Sequence, residues 1–531
     1  MAGTQRLALA LFAAAFAGAP FTDISARAGF TQPVIYGPAD HKDYILEATG
    51  CGLALIDFDE DGWLDVFVLS GTRFNSTAGS NRLYRNQRNG TFAEMDVGLR
   101  KTGWPSSVTA GDFNGDGHLD LFVTYWGQNV LYRWSGGRFV DATREAGLSS
   151  EGRRWSSGAA FFDYDRDGHL DLFVTEYLEF DPARVAKPGD AGHCNWKGVA
   201  VNCGPRGLPK GRHHLYRNRG DGTFEDVSAR TGIGAAPAAY AMTAVAADYN
   251  EDGWVDLYVA CDSSPSLLFV NQRDGTFAEQ ALERGVAVSS DGMEQAGMGV
   301  ALGDVNRDGH LDIFKTNFAD DTHNLYVNSG DGHFADRGAA LLAGDQRHMG
   351  WGASLQDFDN DGWPDVFYVT GNVFPEAERK LPHYPHLGPR MLFRSLAGRS
   401  FARVPLSLPP QSSRGAAFGD IDNDGDIDTV ILNMNAAPTL LRNDWAPRTN
   451  HWLSVDLGAR STGATVIASF GGRRTAGAVT SQESFYSVND ARLHFGLGEA
   501  TQANIEVRWP NGRVTQHPAL AAGRVHRLRA L

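Results

Sequence analysis

One nine-residue pattern, D-x-[DN]-x-D-G-x-x-D, occurs seven times in this chain and constrains its fold more than any other feature. The copies begin at Asp57, Asp112, Asp163, Asp248, Asp304, Asp357 and Asp420, at spacings of 55, 51, 85, 56, 53 and 63 residues. Periods near 50 residues mark propellers, solenoids or arrays. Each copy is preceded by a run of small and apolar residues, such as Gly299-Val300-Ala301-Leu302-Gly303, and followed by a β-rich run such as Leu257-Tyr258-Val259. A third strand close to LYRN begins at Leu83, Leu131, Leu215, Leu268, Leu325, Leu392 and Leu440. A Gly-containing hairpin then leads to a fourth strand carrying Phe92, Phe139, Phe224, Phe277, Phe334 or Phe401.

Inside the array there are seven first, second and third strands but six fourth strands. The missing one stands at the other end, where Phe21-Thr22-Asp23-Ile24-Ser25 matches Phe224-Glu225-Asp226-Val227-Ser228. An open solenoid has no reason to begin with an orphan fourth strand, whereas a ring closed by the N-terminus hides its end edges. The expected fold is therefore all-β: a seven-bladed β-propeller over residues 18–445, its last blade closed by the N-terminal strand. A small all-β domain is expected over 446–531.

The pattern also predicts metal chemistry. Its first, third, fifth and ninth side chains are Asp57, Asp59, Asp61 and Asp65; Asp112, Asn114, Asp116 and Asp120; Asp163, Asp165, Asp167 and Asp171; Asp248, Asn250, Asp252 and Asp256; Asp304, Asn306, Asp308 and Asp312; Asp357, Asp359, Asp361 and Asp365; and Asp420, Asp422, Asp424 and Asp428. All are hard oxygen donors, which suits Ca²⁺ and disfavours zinc or copper. Up to seven structural calcium ions are expected. They would offset most of the formal charge of −15. That acidity, with no clustered Lys and Arg, argues against a nucleic-acid partner.

Residues 1–17 read as a secretory signal: Arg6, then the apolar run Leu7 to Phe16, with Ala15-Phe16-Ala17 at the cleavage position. No other segment is apolar enough to span a membrane, so a secreted or periplasmic protein is expected. Cys194 and Cys203, nine residues apart in an exported chain, are expected to form a disulfide.

The acidic loops resemble FG-GAP/VCBS repeats, as in integrin α-subunit propellers. The strings Asn450-His451-Trp452-Leu453, Phe495-Gly496-Leu497-Gly498 and Val507-Arg508-Trp509-Pro510-Asn511-Gly512 resemble the ASPIC/UnbV domain. Together they resemble bacterial members of the cartilage acidic protein 1 family over nearly the whole mature chain. Ser461-Thr462-Gly463-Ala464 is shorter than that family's usual Asn-Arg-x-Gly-Ile-Gly-Ala stretch. The resemblance implies an exported calcium-binding protein, and implies that partners bind the face opposite the metal loops.

That opposite face carries two insertions, about 179–214 and about 371–390. The first holds His193, His213 and His214, and the second holds His383, Tyr384 and His386. Long loops on a rigid scaffold are where binding usually lives. Aligning the blades places Cys51, Met242, Met298 and Cys261 at the mouth of the central channel on this face, with His323, His348, Asp320 and Asp321 on nearby loops. Three readings of this group stand side by side: apolar packing, a Cys51–Cys261 disulfide, and a transition-metal or redox centre. No G-x-S-x-G or HExxH motif is present. The expected function is an interaction module for a protein or glycan, with a metal-dependent or redox enzyme at the channel mouth as the alternative.

Overall fold

The computed structural model describes residues 19–74, 76, 79–149, 154–342 and 346–529. The signal sequence expected at 1–17 lies outside them. The architecture is a β-propeller with a second all-β unit on one side. Seven four-stranded antiparallel sheets follow one another along the chain. Their innermost strands are Leu53–Ile56, Pro105–Gly111, Ser156–Phe162, Ala241–Ala247, Gly297–Gly303, Gly350–Gln356 and Ser413–Gly419. Each of these touches the next in turn, and the last touches the first. The ring closes as the strand count required. Phe21–Asp23 pairs antiparallel with Leu441 to Asn443 as the outer strand of the seventh sheet.

The small residues of the inner strands have a steric cause. Five residues before each loop's first aspartate stand Gly52, Ser107, Gly158, Thr243, Gly299, Gly352 and Gly415. A Cβ on Gly299 would lie 2.1 Å from the carbonyl oxygen of Trp351 in the next sheet, and one on Gly158 would lie 2.2 Å from that of Met242. Backbones therefore approach closely around the axis, where larger side chains would splay the sheets.

The LYRN strand joins sheets to loops. Its asparagine reaches the preceding sheet: Asn86 Nδ2 donates to Ile421 O at 3.0 Å, Asn271 to Tyr164 O at 2.9 Å and Asn443 to Phe358 O at 2.8 Å. Its arginine reaches its own acidic loop, as Arg85 does at Asp59 (2.6 Å) and Asp61 (3.1 Å).

After Asn443 the chain builds a separate core from Leu453, Val455, Val466, Phe495, Leu497, Ile505, Val507 and Trp509. One sheet has the order Arg473–Ala478, Thr465–Phe470, Gln502–Arg508, Val514–Ala521. The other places His451–Asp456 between Leu493–Gly498 and the parallel strand Arg524–Arg527. No helix among the described residues is long and apolar enough to cross a membrane.

Candidate metal centres and the two faces of the propeller

Each acidic loop joins the first and second strands of its sheet, and all seven lie on one face. Their internal bonding repeats. The first aspartate accepts the backbone N–H of the fifth and sixth residues: Asp61 N to Asp57 Oδ1 is 2.9 Å and Gly62 N to Oδ2 is 2.8 Å, with matching bonds at Asp163, Asp248, Asp304, Asp357 and Asp420. The ninth aspartate brackets the sheet. Asp65 accepts Phe58 N at 3.3 Å and, with its other oxygen, Asn86 N at 2.7 Å on the third strand.

The carboxylates therefore converge before any ion is considered. Those of Asp57, Asp59 and Asp61 lie within 4.8 Å of one another, as do Asp163, Asp165 and Asp167, then Asp357, Asp359 and Asp361, then Asp420, Asp422 and Asp428. The ninth aspartate joins such a group in the seventh loop. Oδ1 of Asp59, Asp165 and Asp422, all at the third position, is buried without a hydrogen-bond partner, and so is Oδ2 of Asp120. Burial pushes Asp65, Asp120 and Asp420 up to about 8 and Asp248 and Asp304 to about 7. Acceptors left unsatisfied in buried carboxylate clusters are what a hard cation would complete. The donor set fits calcium.

The C-terminal unit lies across this loop face. Ala476 N donates to Asp304 Oδ2 at 3.1 Å, and Asn450 Nδ2 to Asp359 O at 2.8 Å. Arg492 reaches Asp420 O at 2.7 Å and Asn423 Oδ1 at 2.6 Å. Trp452 and Gly425 are packed so closely that a Cβ on the glycine would sit 1.8 Å from the indole. Residues 446–531 carry ten arginines and five carboxylates, so a basic unit covers the acidic loops.

From this unit the segment 480–490 enters the central channel. An inner propeller strand is a sheet edge with unpaired backbone groups, and this segment pairs them. Ser484 exchanges bonds with Val300 (2.6 and 2.7 Å), and Val488 does so with Leu53 and Leu55 (both 2.9 Å). Ser481 Oγ accepts Phe161 N at 2.9 Å, Ser484 Oγ accepts Ala353 N at 3.0 Å, and Asn489 Oδ1 accepts Phe418 N at 3.1 Å. Glu483 Oε1 accepts Leu302 N at 2.9 Å, and burial pushes its carboxyl up to about 7. At the tip, Phe485 and Tyr486 are fully buried. The Tyr486 hydroxyl meets Met242 Sδ at 2.7 Å, and Phe485 stands edge-on to Trp351 at 4.9 Å.

Of the channel-mouth residues read from the alignment, Cys51, Met242 and Met298 share one core cluster, whereas Cys261 belongs to another. Cys51, Cys261, Met242 and Met298 are all buried. Cys51 and Cys261 are free thiols, with Sγ bonded to Leu69 O and Val259 O. Burial raises both, Cys261 to about 12. His323 accepts Asn317 N at 3.0 Å, and burial lowers it to about 4. His386 contacts Asn372 O at 2.7 Å and is lowered likewise, while His383 is exposed and His348 half-buried. Among the described residues, the convergent groups of metal-ligating side chains come from acidic loops alone.

The same face carries the first insertion. Cys194 and Cys203 are disulfide-bonded and close a hairpin of Cys194–Trp196 and Val199–Val201. From the third sheet this insertion crosses to the first, where Lys187 pairs with Asp43 at 2.9 Å. It also reaches loops of the fifth and sixth sheets, where Trp196 packs on Phe318, Phe374 and Tyr384 and Lys197 pairs with Asp320 at 2.7 Å. Beside it lies a cleft of about 460 Å³ lined by Arg154, Glu176, Leu178, Arg184, Arg212 and His214. Arg154 Nη1 stands 3.3 Å from both Glu176 Oε1 and His214 Nε2.

Sequence reasoning missed the channel segment and the docking of the C-terminal unit on the loops. The excess of arginine in 446–531 over an otherwise acidic chain is the signal that was available for the second.

Family models match this chain in two places. FG-GAP-like repeats cover 57–123, 112–174, 206–259 and 248–314, and an ASPIC and UnbV domain covers 458–530. Among curated proteins the chain is similar to cartilage acidic protein 1 of Mus musculus (25% identity; 87% of this chain, 71% of the relative). It is also similar to that of Homo sapiens (24%; 93% and 74%) and Xenopus tropicalis (28%; 49% and 40%). These relatives are vertebrate, whereas the sequence resemblance was drawn to bacterial members. Among solved structures, an Agrocybe aegerita lectin recognising non-reducing terminal N-acetylglucosamine aligns at TM-score 0.36 and 16% identity, over 71% of this chain and 83% of the lectin. A chain from a BBS1N–ARL6DN complex aligns at TM-score 0.41 and 10% identity, over 81% and 98%.

Proposed function

We propose that this FG-GAP-repeat relative of cartilage acidic protein 1, ending in an ASPIC and UnbV domain, is an exported calcium-binding interaction module. Its partner, a protein or glycan, binds the face opposite the acidic loops. The observation that carries this reading is the occupancy of the other face: the C-terminal domain covers the loops and its 480–490 segment fills the channel. The specialised surface left exposed is the one built by the two insertions. Its cleft pairs guanidinium and carboxylate groups over an apolar wall, a lining suited to hydroxyl-rich or mixed-charge ligands.

Calcium in this reading is structural. The first, third and fifth side chains of the loops hold it, with the ninth contributing where it converges, and it supplies charge neutralisation. Its ligands lie under the C-terminal domain, away from the partner face.

The test is binding of immobilised glycans and extracellular proteins to the intact chain. Arg154→Ala combined with Arg212→Ala should weaken a captured partner at least tenfold and leave the melting temperature in calcium unchanged. Retained binding in that variant, with loss on substituting exposed loop-face residues, would move the site to the other face.

A further inference from the structure

The fourth residue of each acidic loop is none of its metal-ligand positions, yet the backbone there is left-handed in all seven. φ is +57° at Glu60, +61° at Arg166, +57° at Glu251 and Arg307, +56° at Asn360, +59° at Asn423 and +74° at Gly115. Six of these are not glycine, so six loops hold a side chain in a backbone conformation it disfavours. The conformation aims that side chain at the next loop around the ring.

The contacts run in one direction. Glu60 bonds His118 of the second loop at 2.6 Å. Arg166 donates to Gly253 O of the fourth loop and lies over Trp254 at 4.0 Å. Glu251 pairs with His310 of the fifth, and Arg307 lies over Trp363 of the sixth at 5.2 Å. Asn360 donates to Gly425 O of the seventh at 3.1 Å, and Asn423 donates to Gly62 O of the first, also at 3.1 Å. Three of these bridges end on the carbonyl of the next loop's sixth-position glycine.

One junction has no side chain of its own. The second loop carries Gly115, facing the third. Arg460 of the C-terminal domain stands there instead. Its Nη2 would lie 3.4 Å from a Cβ built on Gly115, and it donates to Gly168 O at 3.1 Å. Gly168 is the sixth residue of the third loop, so this is the bond that Asn423 and Asn360 make at their own junctions. The same domain engages the bridging residue at four further junctions: Arg508 at Glu251 (2.8 Å), Phe470 under Arg307 (4.2 Å), His494 at Asn360 (2.6 Å) and Arg492 at Asn423 (2.6 Å).

We infer that Arg460 is the missing bridge of a closed ring of loop-to-loop contacts, so that docking of the C-terminal domain and metal binding by the second and third loops form one coupled equilibrium. Arg460 is a positioning residue: it touches the Gly168 carbonyl, stands 3.9 Å from Asp112 Oδ2 of the second loop, and holds the junction without ligating the ion. The inference rests on the calcium reading above for its metal half and on geometry alone for the bridge.

The experiment is a double-mutant cycle on the intact chain with Arg460→Ala, Gly115→Asn and both together. It is read by calcium titration and by backbone hydrogen exchange over 112–120 and 163–171. Arg460→Ala should weaken the most affected sites at least fivefold and speed exchange in those two loops. Gly115→Asn, which restores the side chain the sixth and seventh loops use, should recover both in the Arg460→Ala background and change little by itself. Unchanged affinity and exchange in Arg460→Ala would overturn the inference, and so would a loss that Gly115→Asn does not repair. Absence of calcium uptake by the unmodified chain would sink the calcium reading and with it the coupling, while the exchange cycle would still decide the bridge.

Discussion

The two faces of the propeller are built by opposite means. The loop face repeats one framework seven times: an acidic loop, a bracket from the ninth aspartate to the third strand, and a left-handed fourth residue, whose side chain reaches the next loop in six of the seven. The opposite face repeats nothing. A disulfide-closed insertion reaches three other sheets by aromatic contacts and ion pairs. Repetition suits a surface that must be the same all round, here the seat of a second domain. Irregularity suits a surface that distinguishes one partner from another.

If the loop face is a metal-dependent seat, removing calcium should have the largest effect on the molecule. At a hundredfold excess of ion over Kd each site contributes about 2.7 kcal/mol. Chelation should then lower the melting temperature by roughly 10 °C or more, reversibly, as scanning calorimetry would record. A fall confined to the opposite face would break the comparison.

Next in size is the channel segment. A Cβ on Gly52 would lie 1.8 Å from Tyr486 O, so Gly52→Val is expected to expel the segment. Tyr486→Ala removes a fully buried ring at a cost of about 3–5 kcal/mol. Both should expose the junction near 446–450 to protease. An undigested junction would mean the domain sits on the loops without help from the segment.

Glu483 sharpens the same point through pH. Burial raises its carboxyl to about 7 in the folded chain, against about 4.3 when unfolded. The folded state then holds a proton that the unfolded state has lost. Stability therefore falls as pH rises from about 4.3 through about 7, by about 4 kcal/mol, and is flat above. Glu483→Gln keeps an acceptor for Leu302 N and should flatten that decline in denaturant titrations. An unchanged slope would place the titration elsewhere.

The smallest effect is expected on the irregular face. Opening the nine-residue loop with Cys194→Ser and Cys203→Ser should cost about 2–3 kcal/mol at most and loosen the hairpin in hydrogen exchange. Calcium affinity should stay within twofold. A large change in calcium affinity would mean the two faces are not separable.

Much of the loop face was legible because its information is local. Nine residues contain the clustered carboxylates and the turn, the LYRN string marked the third strand, and Phe21 announced the ring closure by matching Phe224. The Cys194–Cys203 pairing was legible from spacing. The channel segment was not. Ser481 to Asn489 reads as an ordinary polar loop, and its partners Leu53 and Val108 stand more than 370 residues away. What selects it is a ring of unpaired strand edges, a property of the assembled propeller. Cys51, Met242 and Met298 pack in one cluster with Phe485 and Tyr486, which come from the far end of the chain. Gly115 was visible as the one fourth position without a side chain, though its meaning required Arg460 in space.

The central claim is that the seven acidic loops are calcium seats that hold the scaffold together. The most direct measurement is the metal content of the purified chain after equilibrium dialysis in calcium, by elemental analysis, with the melting temperature of the same samples before and after chelation. The account predicts four to seven calcium ions per chain and a melting temperature that falls on chelation and returns on readdition. Less than one bound ion per chain, or a melting temperature indifferent to calcium, would contradict it.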